Sequence, residues 1–494
     1  MNRNTTDRGS RKPASSRTSS NRSSSNRSTG NRSSGGDRPA SSKPAGSRSP
    51  RPSGYIAERS KDIMAARIEQ VREVLGELLQ WSQPADVSLS RWLRQNPRLG
   101  SRDRSEVADA VFDVLRHLRR YRQYAQSGNG PAAKRLAILG LAGTLGHDKV
   151  MESLSDTEQT WLAHTRDIPA DALARAVRHS LPDWLDEKLG EMPEAEALMQ
   201  ALNANAPLDI RVNPLKITRD EVLAQLSEAE YAACEAQATP YSPWGIRIQG
   251  RPPLNRWKLF EKGEIEVQDE GSQLLAALVA PKRGEMIIDY CAGAGGKTLL
   301  IGALMRSTGR LYAFDVSAAR LARAKPRLAR SGLSNVVPVV ISTGNDTRVG
   351  RLRGKVHRVL VDAPCSGVGT LRRNPDLKWR QHPESLAELL VVQANILRQA
   401  ARCVKPGGRL VYATCSLLPE ENEQQVMRFL EENPDFSLRN ASEVLADRCS
   451  GLQMSDDFLR LRPDMHGTDG FFAAVLERTA ASTQPVDFEE KTTE

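Results

Sequence analysis

The chain has 494 residues, of which 39% are hydrophobic and 26% are charged, so it exceeds the length of about 100–200 residues that is usual for one domain. The longest apolar runs, such as residues 274–280, fall short of the roughly 18–20 residues that a membrane-spanning helix requires, and the first thirty residues hold no apolar stretch. These properties argue against a membrane protein and against a secreted protein with a signal peptide, so we expect a cytoplasmic protein of two or three domains.

The net charge of +10 is concentrated at one end of the chain. Residues 1–54 contain twelve Lys or Arg and two acids, whereas the remaining residues carry equal numbers of basic and acidic side chains. This segment is rich in Ser, Arg, Asn, Gly and Pro, a composition that buries too little apolar surface to offset the entropy of ordering. We predict a disordered basic tail, which either tethers RNA through its phosphates or is a solvated linker.

Helical periodicity begins after this tail. Over residues 55–200, apolar residues recur at steps of three and four, as at Val107, Val111 and Leu115, which predicts an all-α domain. Residues 201–265 combine a β-rich run that ends at Asn213-Pro214 with short helical stretches. We therefore predict a small α+β domain there, and we expect a chain of this length to act as a monomer.

Strand and helix patterns alternate over residues 266–478. The β-rich runs lie at residues 286–288, 310–314, 336–341, 356–361 and 409–413. Such alternation is typical of a Rossmann-like α/β fold, a doubly wound and mostly parallel sheet that binds ligands at the carboxyl ends of its strands. Residues 479–494 are polar, and we predict a second disordered tail.

The cysteines and histidines show no metal-binding spacing. The six cysteines form no CxxC pair and the seven histidines form no HxxxH pair, so we expect no structural metal site. Without a secretory signal the cysteines should be reduced, and each is then either a small buried side chain or a reactive thiol. We assign Cys234, Cys403 and Cys449 to packing.

A glycine-rich turn follows the first β-rich run, in the sequence Asp-Tyr-Cys-Ala-Gly-Ala-Gly-Gly-Lys-Thr over residues 289–298. A P-loop would need glycine at Cys291, and a dinucleotide fingerprint would need glycine at Thr298. The remaining interpretation is an S-adenosylmethionine site, which needs an acid for the ribose hydroxyls after the second strand. Asp315 lies 19 residues beyond Gly296 and fits that role, while Asp289 would hold the donor's ammonium group or fix the loop.

Two further cysteines stand at predicted strand ends, where both thiols should face one pocket. They are Cys365, in Asp-Ala-Pro-Cys-Ser, and Cys415, in Ala-Thr-Cys-Ser. Carbon 5 of cytosine becomes nucleophilic only after a thiolate has added to carbon 6, so a thiol beside a methyl-donor site indicates cytosine methylation. Asp362 would stabilise the base or donate the proton that balances its charge.

The ordered motifs resemble the Sun/RsmB-type RNA (cytosine-5)-methyltransferases. They comprise residues 267–273 (Val-Gln-Asp-Glu-Gly-Ser-Gln), the glycine-rich run, the two cysteine motifs and residues 466–472 (His-Gly-Thr-Asp-Gly-Phe-Phe). Residues 99–104 and 111–116 are similar to the NusB-like N-terminal domain of the ribosomal-RNA members, and residues 211–216 are similar to their small pre-catalytic domain. The resemblance covers roughly residues 60–478 and implies a class I methyltransferase domain.

The resemblance also implies site residues. It makes Cys415 the nucleophile, Cys365 the thiol that helps release the product, Asp362 the catalytic acid and Asp315 the ribose acid. Asp346 would contact the donor near the adenine, although Gly344-Asn345-Asp346 departs from the family's Gly-Asp pair by one residue. The remaining donor-binding positions are Asp289, Cys291, Ala292, Gly293, Ala294, Gly295, Gly296, Lys297 and Asp362.

We therefore expect methylation of carbon 5 of a cytosine in RNA, and the resemblance implies small-subunit (16S) ribosomal RNA. The base would leave its stack to enter the pocket. The basic loop after Cys365 is a candidate for gripping the RNA backbone, through Arg372, Arg373, Lys378 and Arg380, or is an ordinary solvated loop. Two alternatives remain: a DNA cytosine methyltransferase that uses Cys365, and a non-catalytic RNA-binding assembly factor.

Overall fold

The computed structural model describes residues 53–228, 231, 234–342 and 346–480. The two predicted tails, apart from residues 53, 54, 479 and 480, lie outside these ranges. Within the described part, no helix combines the length and the apolar character that a membrane crossing requires.

The first part of the chain is helical. Its core is formed by apolar residues at the predicted periodicity, since Val107, Val111 and Leu115 are all completely buried. The helices are α1 (Ser53–Leu78), α2 (Ala85–Gln95), α3 (Ser101–Arg116), α4 (Leu118–Tyr124), α5 (Ala132–Leu145), α6 (His147–Met151), α7 (Asp156–Arg166), α8 (Arg175–Arg178), α9 (Asp183–Gly190) and α10 (Ala195–Asn203). Short 3₁₀ turns occur at Ala125–Ser127 and Ala170–Ala172.

A small antiparallel sheet follows. Its strands are ordered β2, β3, β1, β4, and Ile210 lies opposite both Ile246 and Val267. The elements are β1 (Leu208–Val212), α11 (Arg219–Leu226), β2 (Ala236–Ala238), β3 (Gly245–Ile248), a 3₁₀ turn at Leu254–Arg256, α12 (Lys258–Glu261) and β4 (Ile265–Val267). β4 crosses the boundary predicted after residue 265, and the division into domains stays a prediction.

The rest of the described chain forms a large sheet with the strand order β10, β12, β9, β8, β5, β6, β7, and β11 pairs with β12. The strands are β5 (Met286–Asp289), β6 (Arg310–Asp315), β7 (Val336–Val340), β8 (Val356–Asp362), β9 (Val404–Thr414), β10 (Phe436–Arg439), β11 (Leu459–Leu461) and β12 (Phe471–Arg478). The helices are α13 (Glu270–Leu278), α14 (Gly296–Leu304), α15 (Ala318–Ser331), α16 (Thr347–Gly350), α17 (Leu377–Arg380), α18 (Pro383–Ala401), α19 (Glu423–Glu432), α20 (Ala441–Ala446) and α21 (Pro463–His466), with a 3₁₀ turn at Val368–Thr370.

This sheet confirms the predicted fold class. β5 to β9 pair in parallel, whereas β12 pairs antiparallel with β9, β10 and β11. From β5 the chain moves to β6 and β7 on one side and then returns to β8 and β9 on the other side. The carboxyl end of β5 is therefore the point where the winding direction reverses, and ligands of doubly wound folds bind there.

Candidate active site

The glycine-rich loop connects the end of β5 to the start of α14. Gly293 and Gly295 adopt φ angles of +57° and +80°, which side chains other than glycine rarely adopt. A Cβ added at Gly293 would meet no atom within 4 Å, so open space lies beside the loop at this position. The backbone can therefore approach a bound ligand closely.

Two buried carboxylates flank this loop. The amide of Gly293 donates to Asp315 Oδ2 at 2.9 Å, and Arg320 lies 2.9 Å from the other oxygen of Asp315. Asp289 is 1% exposed, and its Oδ2 accepts a hydrogen bond from Thr298 Oγ1 at 2.6 Å while its Oδ1 has no partner. Burial raises the pKa of Asp289 to about 7, although the hydrogen bond from Thr298 opposes this change. An unpartnered buried acceptor beside open space fits a cationic or hydroxyl-bearing ligand.

Two arginines support the loop from outside, and the sequence patterns did not indicate them. Arg211 of β1 is 2% exposed, donates to the carbonyl of Gly296 at 2.7 Å and also contacts Gln268. Arg327 of α15 donates to the carbonyl of Ala294 at 2.9 Å. The small sheet and α15 thus both hold the loop, through hydrogen bonds to its backbone carbonyls.

Asp362 ends β8 and forms an ion pair with Lys297, whose Nζ lies 2.7 Å from Asp362 Oδ2. Burial lowers the pKa of Lys297, but the charge of Asp362 and its hydrogen bond outweigh burial, so the pKa is raised. A thiolate at Cys415 would raise it further. The Lys297 ammonium therefore lies between the glycine-rich loop, the acid and one of the two thiols.

The thiols of Cys365 and Cys415 are in contact, with 3.3 Å between their sulfur atoms, and both side chains are partly exposed. The hydrogen bond with Cys415, together with burial, raises the pKa of Cys365 well above its ordinary value. Burial and the contact with Cys415 therefore favour the protonated form of Cys365. The two thiols therefore come together, while the prediction that they face one ligand pocket stays a prediction.

A buried polar network lies beneath the thiols. The hydroxyls of Ser366 and Ser416 are 3.2 Å apart, and the fully buried Glu421 accepts hydrogen bonds from Ser366 N at 2.8 Å and from Ser366 Oγ at 2.5 Å. Gln393 Nε2 donates to Glu421 at 2.9 Å and to the carbonyl of Pro364 at 3.0 Å. The serine after each cysteine was visible in the motifs, but no sequence pattern linked either serine to Glu421.

The second cysteine loop is also anchored by buried polar contacts. Asn422 accepts a hydrogen bond from Thr414 Oγ1 at 2.5 Å and donates to the carbonyl of Ser416 at 3.0 Å. The amide of Gly369 donates to the carbonyl of Cys415 at 3.0 Å, which ties this loop to the segment that follows Cys365. The backbone at both cysteines is therefore fixed by interactions on the inner side of the site.

Asp346 and Cys291 are two further predicted donor-binding positions. Asp346 caps α16, accepting from the backbone of Arg348, and the hydrogen bonds from Arg348 hold its pKa well below the ordinary value. Burial raises the pKa of Cys291 far above that of a free thiol. Cys403 and Cys449 are buried, and burial raises their pKa to about 11 and about 12. These thiols are therefore protonated at neutral pH, in keeping with packing roles.

The basic loop, expected either to grip the RNA backbone or to be solvated, makes extensive contacts within the protein. Arg372 is 6% exposed and pairs with Asp469 at 2.6 Å, and Arg373 pairs with the same carboxylate. Lys378 is 1% exposed and donates to the carbonyl of Arg116 in the helical part at 2.7 Å. Arg380 is partly exposed, and its ion pair is local, with Asp376 four residues earlier at 3.4 Å. Partners far away in the chain hold these side chains, so the loop is not an ordinary solvated loop, and its grip on the RNA backbone stays a prediction.

An open cavity of about 510 Å³ adjoins the second cysteine loop. It is lined by Ser416, Leu417, His466 and Phe471, among others, and the strongly exposed Met465 stands beside it. The Lys297 ammonium lies 5.9 Å from the centre of the Phe471 ring. Phe471 therefore joins this cavity to the ion pair of Lys297 and Asp362.

Comparisons with known proteins agree with this geometry. Residues 276–477 match the family described as 16S rRNA methyltransferase RsmB/F, and residues 181–255 match the RsmF/B-like ferredoxin-like domain. The chain is 32% identical over 443 residues to the probable ribosomal RNA small subunit methyltransferase B of Synechocystis sp., covering 82% of this chain and 98% of the relative. It is 38% identical over 315 residues to ribosomal RNA small subunit methyltransferase B of Sodalis glossinidius, covering 63% and 69%. The solved structure of PH0851 is 27% identical, with a TM-score of 0.69 over 85% of this chain and 99% of that chain.

Proposed function

The chain belongs to the RsmB/F family of ribosomal RNA small subunit methyltransferases, as its motifs predict, and we propose that it methylates carbon 5 of a cytosine in small-subunit ribosomal RNA. The observation that carries this proposal is the pair of thiols in contact beside Asp362 and Lys297. A methyltransferase that acts on an oxygen or an amine needs no thiol, whereas carbon 5 of cytosine requires one.

The donor site fits S-adenosylmethionine, which supplies an electrophilic methyl group when it is bound. We assign the ribose hydroxyls to Asp315 and the methionine part to the region of the unpartnered Asp289 Oδ1, with the open side of Gly293 between them. Asp346 would lie on the adenine side. Residues 291–297 would line the donor along the loop, and Arg211 and Arg327 would keep that loop in shape.

The thiols have different roles in this proposal. Cys415, as a thiolate, forms a bond to carbon 6 of the cytosine, and the electron pair that this displaces makes carbon 5 nucleophilic. Asp362, which Lys297 holds in place, hydrogen-bonds the base. It shares a proton with the base while negative charge builds up on the ring. The Lys297 charge also stabilises a thiolate at Cys415.

Release of the product needs a base and a leaving thiolate. After carbon 5 has taken up the methyl group, its proton must be removed so that the bond between carbon 6 and Cys415 can break. The contact at 3.3 Å supports Cys365 in both tasks: its thiol gives a proton to the departing Cys415 sulfur, and the Cys365 thiolate left behind takes the proton of carbon 5. The roles of both cysteines remain part of the proposal.

The test uses small-subunit ribosomal RNA transcribed without modifications and a radiolabelled donor. The wild type should produce 5-methylcytosine, identified by mass spectrometry of the digested RNA. Cys415→Ala should produce neither methylated RNA nor a covalent protein-RNA adduct on a denaturing gel, whereas Cys365→Ala should accumulate the adduct. Cys234→Ala, which alters a cysteine of the small domain, serves as the matched control and should behave as the wild type.

Two results would contradict the proposal. A methylated base other than 5-methylcytosine would remove the reason for the thiol pair. Loss of the adduct in Cys365→Ala with retention in Cys415→Ala would exchange the two roles and favour the arrangement of DNA cytosine methyltransferases.

A further inference from the structure

The large sheet has a second edge, formed by the amino ends of its parallel strands and opposite to the catalytic edge. Lysines and arginines stand at the start of four neighbouring strands, and all but Lys405 are exposed. We call this surface the basic edge. It comprises Lys282 and Arg283 before β5, Arg306 and Arg310 before and at the start of β6, Arg351, Arg353 and Lys355 before β8, and Arg402 and Lys405 at the start of β9.

Hydrogen bonds join these four starts into one surface. The amide of Gly354 donates to the carbonyl of Arg402 at 2.9 Å, which links the segments before β8 and β9. The amide of Met286 donates to His357 Nδ1 at 3.2 Å, and the amide of Gly284 donates to Thr308 Oγ1 at 3.0 Å. With strands about 4.8 Å apart, the basic edge is about 14 Å long before its side chains extend it.

The charge of the basic edge is not neutralised within the described residues. None of its nine cations lies within ion-pair distance of a described carboxylate; Glu285, which belongs to the same edge, pairs with Arg358 at 2.7 Å. Acids occur farther along, on the side of β10 and β12, where Glu477 pairs with Arg409 and Asp435 pairs with Arg478. Exposed cations in a row without acids create a positive potential that attracts a polyanion.

We propose that the basic edge binds the sugar-phosphate backbone of the RNA substrate at a second place, remote from the target base. At roughly 3.4 Å per nucleotide, a row of about 14 Å covers about four nucleotides of one strand. β8 spans seven residues from Val356 to Asp362, so the basic edge lies about 20 Å from the catalytic edge. A large folded RNA can reach both edges, whereas a short fragment around the target base reaches only one.

This proposal rests on RNA being the substrate, but it does not depend on which atom is methylated. The basic edge also supplies exposed cations, which the loop of Arg372 and Lys378 lacks because those two side chains are buried in contacts within the protein. Phosphate contacts carry no sequence information, so the basic edge would add affinity and orientation and leave the choice of base to the catalytic edge.

The experiment uses the full chain with Arg283→Glu and Arg353→Glu together, both at exposed positions. The matched control reverses two exposed charges elsewhere around the same sheet, Arg323→Glu with Arg428→Glu, neither of which forms an ion pair within the described residues. The probes are the complete small-subunit ribosomal RNA transcript and the shortest fragment of it that the wild type methylates. Methyl transfer is followed at several salt concentrations.

We expect KM for the complete transcript to rise about tenfold in the edge variant. The dependence of log KM on log salt should weaken by about 1.4, or roughly 0.7 for each of two lost phosphate contacts on a single strand. KM for the short fragment and the affinity for the donor should stay within twofold of the wild type. An unchanged KM for the complete transcript, an equal rise for the fragment, or an equal effect of the control variant would overturn the proposal. Failure of the wild type to methylate either RNA would instead reject the proposed function.

Discussion

Replacement of Glu421 tests whether its buried carboxylate positions the cysteine loops. Glu421→Ala removes the acceptor for Ser366 N and for Gln393 Nε2, while the Ser366 hydroxyl can turn toward Ser416. Each buried donor left unsatisfied costs about 1–3 kcal/mol, so the variant should lose about 2–6 kcal/mol of its free energy of unfolding. Glu421→Gln keeps the volume and one acceptor oxygen, and should lose about 1–3 kcal/mol.

The catalytic effect should fall on product release. Ser366 follows Cys365 directly, so the loss of its anchor lets Cys365 drift from the sulfur of Cys415. A displacement of about 1 Å at a reacting group costs about a hundredfold in rate. We expect kcat to fall 10- to 100-fold in Glu421→Gln with kcat/KM for RNA nearly unchanged, because the slowed step follows formation of the adduct. The protein-RNA adduct should accumulate on denaturing gels, as in Cys365→Ala.

The assay combines urea unfolding, multiple-turnover kinetics for kcat, single-turnover methyl transfer and adduct gels. Gln425→Ala is the matched control, because Gln425 is a buried polar residue of α19 whose hydrogen bond goes to the carbonyl of Leu390 and not to a cysteine loop. It should lose stability without accumulating adduct. If Glu421→Gln loses stability but keeps its kcat within twofold and shows no adduct, Glu421 stabilises the fold without positioning Cys365.

Two further predictions concern the donor site. Burial raises the pKa of Asp289 to about 7 in the folded protein, whereas the same side chain ionises near pH 4 when the chain is unfolded. Between these two pH values the folded state binds more protons than the unfolded state. The free energy of unfolding therefore falls as the pH rises from 4 to 7. Measured by urea unfolding without donor, the free energy of unfolding of the wild type should fall by up to about 4 kcal/mol more than that of Asp289→Asn over this pH range. Parallel plots of the two free energies against pH would refute this. Arg211→Met removes the hydrogen bond to the carbonyl of Gly296 and should weaken donor binding 5- to 20-fold, or about 1–2 kcal/mol, in calorimetry; an unchanged affinity for the donor would show that the loop keeps its shape without Arg211.

The sequence was informative wherever an element is defined by neighbouring residues. The Rossmann-like sheet could be predicted because buried parallel strands are short apolar runs, and the glycine-rich turn could be placed because it follows such a run. The contact of Cys365 with Cys415 followed from one topological rule, that the carboxyl ends of parallel strands meet at one edge. In each case the residues concerned lie within one strand or directly after it.

The basic loop and Glu421 show where prediction from sequence stops. The charge of Arg372 or Lys378 indicates exposure on average, yet both are buried because Asp469 and the carbonyl of Arg116, far away in the chain, lie opposite them. Glu421 is one acid among several in its segment, and only the packing of α18 and β9 brings Ser366 and Gln393 to it. Such roles depend on partners that local patterns do not contain.

The repetition of one dipeptide explains how the site acquires two chemically different sides. β8 and β9 are adjacent and parallel, with Asp362 opposite Ala413, and each is followed by Cys-Ser at nearly the same height. Cys365 lies three residues beyond Asp362 and Cys415 lies two beyond Ala413. The loop through Pro364 makes up this offset, so the partly exposed thiols meet on one side and the buried hydroxyls meet on the other. The contacts at 3.3 Å and 3.2 Å show both meetings. Glu421 therefore acts on the hydroxyl side, where it can fix both loops without occupying the space that the cytosine needs.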